Sequence, residues 1–118
     1  MTPLKPTIHV HTGSLEAAIL TQVLYGIEEE QIPVQLVISD QIDAVSVAHQ
    51  AALQSPLLVG VAVINDEVVV HYRNLSPTSP LFHIRRAGAK DNESLRHIGA
   101  NAARLVKGVP FKSQLDNN

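Results

Sequence analysis

The chain reads as a layered α/β domain built on a mostly parallel sheet, and three observations predict it. Apolar runs of strand length alternate with stretches whose apolar residues recur at helical spacing, in the order β-α-β-α-β-β-β-α. The run Leu57–Ile64 is almost continuously apolar, the pattern of a strand covered on both faces. Asn65-Asp66-Glu67 then separates it from a second apolar run, Val68–Tyr72. That spacing predicts a hairpin and makes the fourth strand antiparallel.

Taken in order, Thr7–His11 is a short strand and Thr12-Gly13-Ser14 a turn, with Ser14 placed to cap a helix. Leu15, Ala18, Ile19, Val23, Gly26 and Ile27 form one helical stripe, closed by Pro33. Val34–Ser39 is apolar and rich in strand formers. Asp40–Gln54 is the second helix, with Ile42, Val45, Val47, Ala48 and Ala52 apolar and Ser55-Pro56 stopping it. After the hairpin, Asn74–Pro80 is a loop with two prolines and Leu81–Arg86 a fifth, edge strand. Ala87–Asp91 is a loop, Asn92 a cap, and the last helix runs to about Lys107. Two glycines stand inside elements. Gly60 in a buried strand predicts close approach of another backbone, as core packing against a helix rather than as a ligand site. Gly99, beside Ala100, Ala102 and Ala103, costs its helix about 1 kcal/mol relative to alanine and therefore implies a packing reason.

The 118 residues make one domain, residues 1–112, with a polar tail at 113–118 expected to fray. A hydrophobic fraction of 45% is enough for a core, and no apolar run reaches membrane-spanning length. The opening Met1-Thr-Pro-Leu-Lys-Pro6 lacks the apolar stretch of a secretion signal, and a cytoplasmic location is expected. With no cysteine, disulfides, thiolate metal sites and a cysteine nucleophile are excluded. The net charge of −2 is unevenly placed: seven basic residues lie between Arg85 and Lys112, while eight acids precede them against Lys5 and Arg73. Either a mixed solvated surface or a docking surface accounts for this. Two Tyr, two Phe and no Trp argue against a nucleic-acid stacking platform.

Three features bear on chemistry. His9 and His11 alternate on one strand and share a face that could meet His71 or His83, which admits a small metal-dependent enzyme. No His-Glu-x-x-His and no carboxylate at a recognisable ligand spacing supports it, so structural histidines are the simpler account. Thr12-Gly13-Ser14 offers a helix N-terminus, but one glycine is far short of a phosphate loop, and no G-x-S-x-G surrounds Ser14. Glu28-Glu29-Glu30 closes the first helix, where the helix dipole disfavours negative charge by about 0.3–1 kcal/mol per exposed acid. The cluster is either screened by water and salt or compensated by a cation or a basic partner surface. The bare Gly99/Ala102 flank also admits a homo-oligomeric structural module.

Three segments carry a resemblance: Gly26-Ile-Glu-Glu-Glu-Gln-Ile-Pro33, Ser55-Pro-Leu-Leu-Val-Gly-Val-Ala62 and Leu95–Pro110, the last with Asn101 in Gly99-Ala-Asn-Ala102 as its most distinctive match. Together they resemble the small subunit of the diol/glycerol dehydratase-reactivating factors. The resemblance implies a three-layer α/β/α fold with a mixed five-stranded sheet whose fourth strand is antiparallel, in agreement with the hairpin read from the residues. It implies a non-catalytic subunit paired in a heterotetramer with a large actin-like ATPase subunit that binds ATP/ADP. By subunit exchange with the dehydratase it would release damaged cobalamin from an adenosylcobalamin-dependent enzyme, in the cytoplasm or in association with a bacterial microcompartment. It also places Glu28, Glu29 and Glu30 at the contact with the large subunit, where Glu29 lends a carboxylate to a shared divalent metal, Mg or Ca. One carboxylate holds no hard cation alone, so most ligands would come from the partner.

Overall fold

Continuously apolar strands need cover on both sides, and helices that alternate with them provide it. In the computed structural model, which describes residues 5–112, the five strands are β1 (Ile8–Thr12), β2 (Val34–Ile38), β3 (Val59–Ile64), β4 (Glu67–Tyr72) and β5 (Phe82–Ile84). The helices are α1 (Ala18–Glu29), α2 (Ala44–Gln54) and α3 (Asn92–Lys107), and a single 3₁₀ turn covers Ala87–Ala89. The strands lie in the order β2-β1-β3-β4-β5. β1 is parallel to β2 and β3, whereas β4 is antiparallel to both β3 and β5. Four strands therefore point one way and the fourth opposes them, as the hairpin predicted.

The first crossover moves outward from β1 to β2 and the second returns past β1 to β3. With right-handed connections, α1 and α2 must then fall on opposite faces. α3 joins α1, and the larger core forms beneath that pair: Ile8, Val10, Val61 and Val70 from the sheet meet Leu20, Val23, Ile27, Leu95 and Ile98. α2 closes the other face through Ala44, Val47 and Ala48 against Ala62, Ile64 and Val69. Every residue of β3 is buried, the result of this double cover.

The close approaches foreseen at glycine are present. A Cβ on Gly60 would lie 2.2 Å from the Ala52 amide nitrogen and 2.3 Å from the Ala48 carbonyl oxygen, so the α2 backbone rests on β3. A Cβ on Gly99 would lie 2.0 Å from the Val23 carbonyl oxygen, and one on Gly26 would lie 1.9 Å from that of Arg96. Helices α1 and α3 thus touch backbone to backbone through facing glycines. The bare flank of α3 is consumed inside the chain, which removes it as a self-interface.

Helix boundaries shift by a few residues, each for a local reason. The Ser14 hydroxyl accepts the Glu16 N–H at 3.2 Å in a tight turn, so it does not cap α1, which begins at Ala18 without a side-chain cap. Leu20 belongs to the buried stripe, and Leu15 lies outside it. α2 begins at Ala44 rather than Asp40 because Asp43 is the cap, accepting the Ser46 N–H, and Ile42 is left exposed. Asp91, not Asn92, caps α3 by accepting the Ser94 N–H at 2.8 Å. The hairpin turns on Asn65 (φ 54°) and Asp66 (φ 61°), both left-handed as a two-residue type I′ turn requires. The tail expected at 113–118 lies outside the described residues. Among the described residues no helix is long and apolar enough to cross a membrane.

Candidate functional site

Three acidic residues follow one another where α1 runs into β2. Glu28 and Glu29 close the helix and Glu30 caps it. Gln31 then takes a left-handed conformation (φ 64°) and donates its N–H to the Glu28 carbonyl at 2.9 Å. Ile32-Pro33 leads directly into the edge strand.

No basic residue stands in the last turn of α1, so its dipole leaves the acids without a counter-charge on their own element. α3 supplies one. The two helices run side by side and parallel, Gln22 meeting Arg96 at one end and Glu30 meeting Arg104 and Lys107 at the other. Lys107 Nζ lies 2.6 Å from Glu30 Oε1 and Arg104 Nε lies 3.2 Å from Oε2. Both cations sit in the last turn of α3, where they also suit that helix's own dipole. Hydrogen bonding from Lys107, with help from Arg104, holds the Glu30 carboxyl below the usual carboxylate range against the opposing effect of burial. Glu30, with 9% of its side chain exposed, is therefore turned inward, while Glu28 and Glu29 face outward.

Glu29 has a counter-charge of a different kind. Its Oε1 lies 3.8 Å from Lys112 Nζ, and Lys112 is brought there by the segment after α3. Gly108 ends that helix in the left-handed conformation (φ 69°), and residues 109–112 fold back as a strap. The fully buried Asn101 clips the strap's end like a backbone: its Nδ2 donates to the Lys112 carbonyl at 3.0 Å and its Oδ1 accepts the Lys112 N–H at 2.6 Å. Arg104 Nη1 donates to the Pro110 carbonyl at 2.9 Å, and Phe111 packs edge-on against Phe82 with ring centroids 5.3 Å apart. This gives the helix-interior asparagine its physical reason. The sequence marked Asn101 as unusual but carried no sign of its partner.

Beside the acids, an open cleft of about 420 Å³ separates α1 from β2, lined by Leu24, Glu28, Ile32, Pro33, Val34 and Leu36. β2 stands at the sheet edge with no charged residue along it, and Leu36 and Ile38 are 39% and 64% exposed. Tyr25 on α1 is 49% exposed. An uncharged edge strand with exposed apolar side chains is the kind of surface that proteins ordinarily cover.

The histidines are not gathered into one cluster. His9 and His11 share the α2 face with their rings 6.5 Å apart. In the sheet register His9, Gly60 and His71 fall in one row, and the α2 backbone that drops onto Gly60 separates the two histidines. His71 is fully buried. Its Nδ1 accepts the Tyr72 N–H at 3.0 Å, its Nε2 lies 3.1 Å from the Pro77 carbonyl, and its ring meets His49 edge-on at 4.7 Å. His83 pairs instead with Glu67. Burial lowers the pKa of His9, His11 and His71. Among the described residues no three His, Asp or Glu side chains are placed to hold a metal ion. The meeting of His9 and His11 with His71 or His83 that strand alternation leaves open therefore does not occur. The Thr12-Gly13-Ser14 turn is likewise occupied internally, with the Thr12 hydroxyl donating to the Ser14 carbonyl at 3.0 Å.

Comparison with known proteins places this geometry. Residues 5–112 match the family described as dehydratase medium subunit. Over 90 residues, 76% of each chain, the sequence is 50% identical to the propanediol dehydratase-reactivating factor small subunit of Citrobacter freundii. Over 91 residues it is 48% identical to the diol dehydratase-reactivating factor small subunit of Klebsiella michiganensis, covering 77% of this chain and 71% of that one. The chain belongs to the small-subunit family of the dehydratase-reactivating factors. A solved diol dehydratase-reactivating factor complexed with ADP and Mg2+ contains a chain of the same fold. Its TM-score is 0.85 at 42% identity, over 93% of this chain and all of the other. A chain of a glycerol dehydratase reactivase aligns with a TM-score of 0.84 at 27% identity, over 92% and 98%. For a reactivating-factor small subunit, the α/β/α layering and the antiparallel fourth strand are thus the family's own architecture.

Proposed function

We propose that this chain is a non-catalytic docking subunit. In this reading it binds a large actin-like ATPase subunit through the corner of α1 and β2. It then exchanges that partner for dehydratase subunits, so that damaged cobalamin escapes from an adenosylcobalamin-dependent diol or glycerol dehydratase. The observation that carries the reading is the apolar cleft rimmed by Glu28 and continuous with the uncovered β2 edge, in a chain of this family. Apolar surface beside outward-facing carboxylates suits a partner that presents both apolar and cationic groups. The match to a family described as dehydratase medium subunit supports the exchange: a chain with that fold can compete for the surfaces that a medium subunit holds.

Nucleotide chemistry belongs to the partner in this account. The related factor was solved with ADP and Mg2+, while the strand-to-helix turn of this chain is short of glycines and bonded to itself. A shared divalent ion, Mg or Ca, suits the donor set only in part. Glu29 offers a hard oxygen ligand, outward-facing and already attended by a cation, and Glu28 lies beside it. Glu29 would supply one carboxylate and the partner most of the rest. Such an ion would supply positive charge to offset the Glu29 carboxylate at the contact. Glu30 would contribute indirectly, by fixing the turn through Arg104 and Lys107. The cytoplasm, inside or outside a microcompartment, is the setting this reading requires.

Co-purification of the tagged chain with the products of its neighbouring genes tests the function. Retention of an ATPase subunit that dehydratase displaces on addition of ATP is expected. ATP hydrolysis by the purified chain alone would contradict the reading. Glu29→Gln is expected to weaken the complex with the large subunit by about 2–5 kcal/mol in the presence of Mg2+, the range for one member of a buried charged contact, and to leave the domain folded. Unchanged affinity with and without Mg2+ would remove Glu29 from the interface.

A further inference from the structure

The two edges of the sheet differ. β5 has three residues, and Phe111 packs on its Phe82. β2 has five, with no charged side chain and a proline only before its first residue. Charge, proline and shortness are the usual guards of an edge strand, and β2 lacks them. Its main chain is open as well. The Pro33 carbonyl accepts the Ile8 N–H at 3.0 Å and the Ser39 N–H donates to the Thr12 carbonyl at 2.9 Å, so the odd-numbered residues bond inward to β1. Alternation along the strand then turns the N–H and carbonyl groups of Val34, Leu36 and Ile38 outward. Among the described residues no backbone group bonds them from that side. A hollow lies on each face beside this edge. Val34 and Leu36 line the α1-side cleft, with Glu28 at its rim. Gln35 and Val37 line a cavity of about 680 Å³ on the α2 side, with Lys5, Thr7, His9 and Pro56. α2 rests on β3 and leaves this part of β1 and β2 uncovered. Lys5 brings a cation to the cavity, and among the described residues no acid lines it.

We propose that the docking partner completes the sheet: an extended segment of it pairs with β2 along Val34, Leu36 and Ile38, and its side chains fall alternately into the α1-side cleft and the α2-side cavity. The proposal rests on the docking reading of the α1–β2 corner and says how that corner is used. Main-chain hydrogen bonds hold such a segment, and the two hollows select its sequence. Successive side chains of a strand point to opposite faces. One set therefore meets Leu24, Ile32 and Leu36 beside Glu28, and the other meets Lys5, His9 and Gln35. The segment that fits has a period of two, with apolar or basic residues toward α1 and acidic or amide residues toward α2. A second copy of this chain fits less well. Its β2 carries no charge to offer either hollow. Antiparallel pairing about a two-fold axis normal to the sheet would also continue each face with its own kind, the Glu28 side with the Glu28 side and the Lys5 side with the Lys5 side.

The test is hydrogen exchange of the full chain, alone and bound to the large subunit, read at single amides by NMR after the complex is quenched and released. In the lone chain the Leu36 and Ile38 amides should exchange fast, while Gln35 and Val37, bonded to β1, are protected. In the complex Leu36 and Ile38 should slow by at least about tenfold. Affinities of Lys5→Glu and Leu36→Asp accompany the exchange. Lys5 is exposed, so reversing its charge preserves the fold. Lys5→Glu should weaken the complex by about three- to tenfold, less at high salt, although it lies on the face away from α1. Leu36 and Ile38 amides that stay fast in the complex, or a Lys5→Glu affinity equal to wild type, overturn strand addition; if Leu36→Asp still weakens binding, the docking reading stands without it. If Leu36→Asp binds like wild type and the amides stay fast, the docking reading fails and strand addition fails with it. Slow outward amides in the lone chain, with a dimer mass by light scattering, would give the edge to a second copy and overturn the proposal.

Discussion

Single residues fix the geometry of the α1–β2 corner, and the glycines show it most directly. At Gly99 a methyl group would stand 2.0 Å from the Val23 carbonyl oxygen, a contact with backbone that no rotamer change relieves. Gly99→Ala should therefore destabilise the domain by about 1–3 kcal/mol despite the roughly 1 kcal/mol that alanine gains in helix propensity. A urea denaturation series measures this; stability equal to or above wild type would mean that the helices separate at no cost. The sequence marked Gly99 and Gly60 as close approaches, because a glycine inside an element asks for a reason. It did not say which backbone approaches. The sequence leaves open whether Glu30 is screened by water and salt or met by a cation or a basic surface, and in the fold it pairs with Arg104 and Lys107 of the same chain. That pairing crosses more than seventy positions of sequence and exists only because Gly26 and Gly99 let the helices lie in contact. Asn101 was noticed as an odd helix residue, but its partner is the backbone of Lys112, which has no side-chain signature to read.

Elements were legible where patterning is strong and less so where caps compete. The near-continuous apolar run became the fully buried β3, and Asn65-Asp66 became the type I′ turn of the hairpin. α1 and α2 start later than their apolar patterns indicate, because Ser14 bonds its own turn and because Asp43, not Asp40, reaches a helix N–H. β5 kept only Phe82–Ile84 of the longer run expected, an edge strand that pairs with β4 alone. The layer between α2 and the sheet carries a pH dependence that the sequence did not reveal. Burial lowers the pKa of His71 and His11 below 6.5, with the neighbouring His49 and His9 acting in the same direction, and burial lowers His9 against the opposing bond to Gln54. These groups are held neutral when folded but charge freely near 6.5 when unfolded, so the unfolded chain takes up more protons as pH falls. Their contribution to stability is complete above about pH 6.5 and is lost as the pH drops from there through their folded values. Chemical denaturation at pH 7.5, 6 and 5 should show a steady fall, smaller in His71→Gln after its own offset is subtracted. A flat profile across that range would show that the histidines titrate alike in both states.

At the scale of the whole molecule, the fold covers both faces of the sheet and leaves one corner open. Two helices and five strands surround the larger core, α2 seals the opposite face, and the α1–β2 corner with the β2 edge remains open. The family fold and the layering were legible in the sequence, since alternating elements and a hairpin leave few topologies. The corner was legible only in part: its acids were visible as a broken local rule, while the cleft, the bare edge and the strap come from residues that meet only in the folded chain. We propose that this corner binds the large ATPase subunit. It is tested most directly by the equilibrium affinity of that subunit, with Mg2+ present, for wild type and for Leu36→Asp, a change at a 39% exposed position on the edge strand. The account predicts that affinity falls by at least about tenfold, a loss of roughly 1.4 kcal/mol or more, while the stability of the lone domain moves by no more than about 0.5 kcal/mol. Equal affinity for the two proteins would contradict it and place the partner elsewhere on the surface.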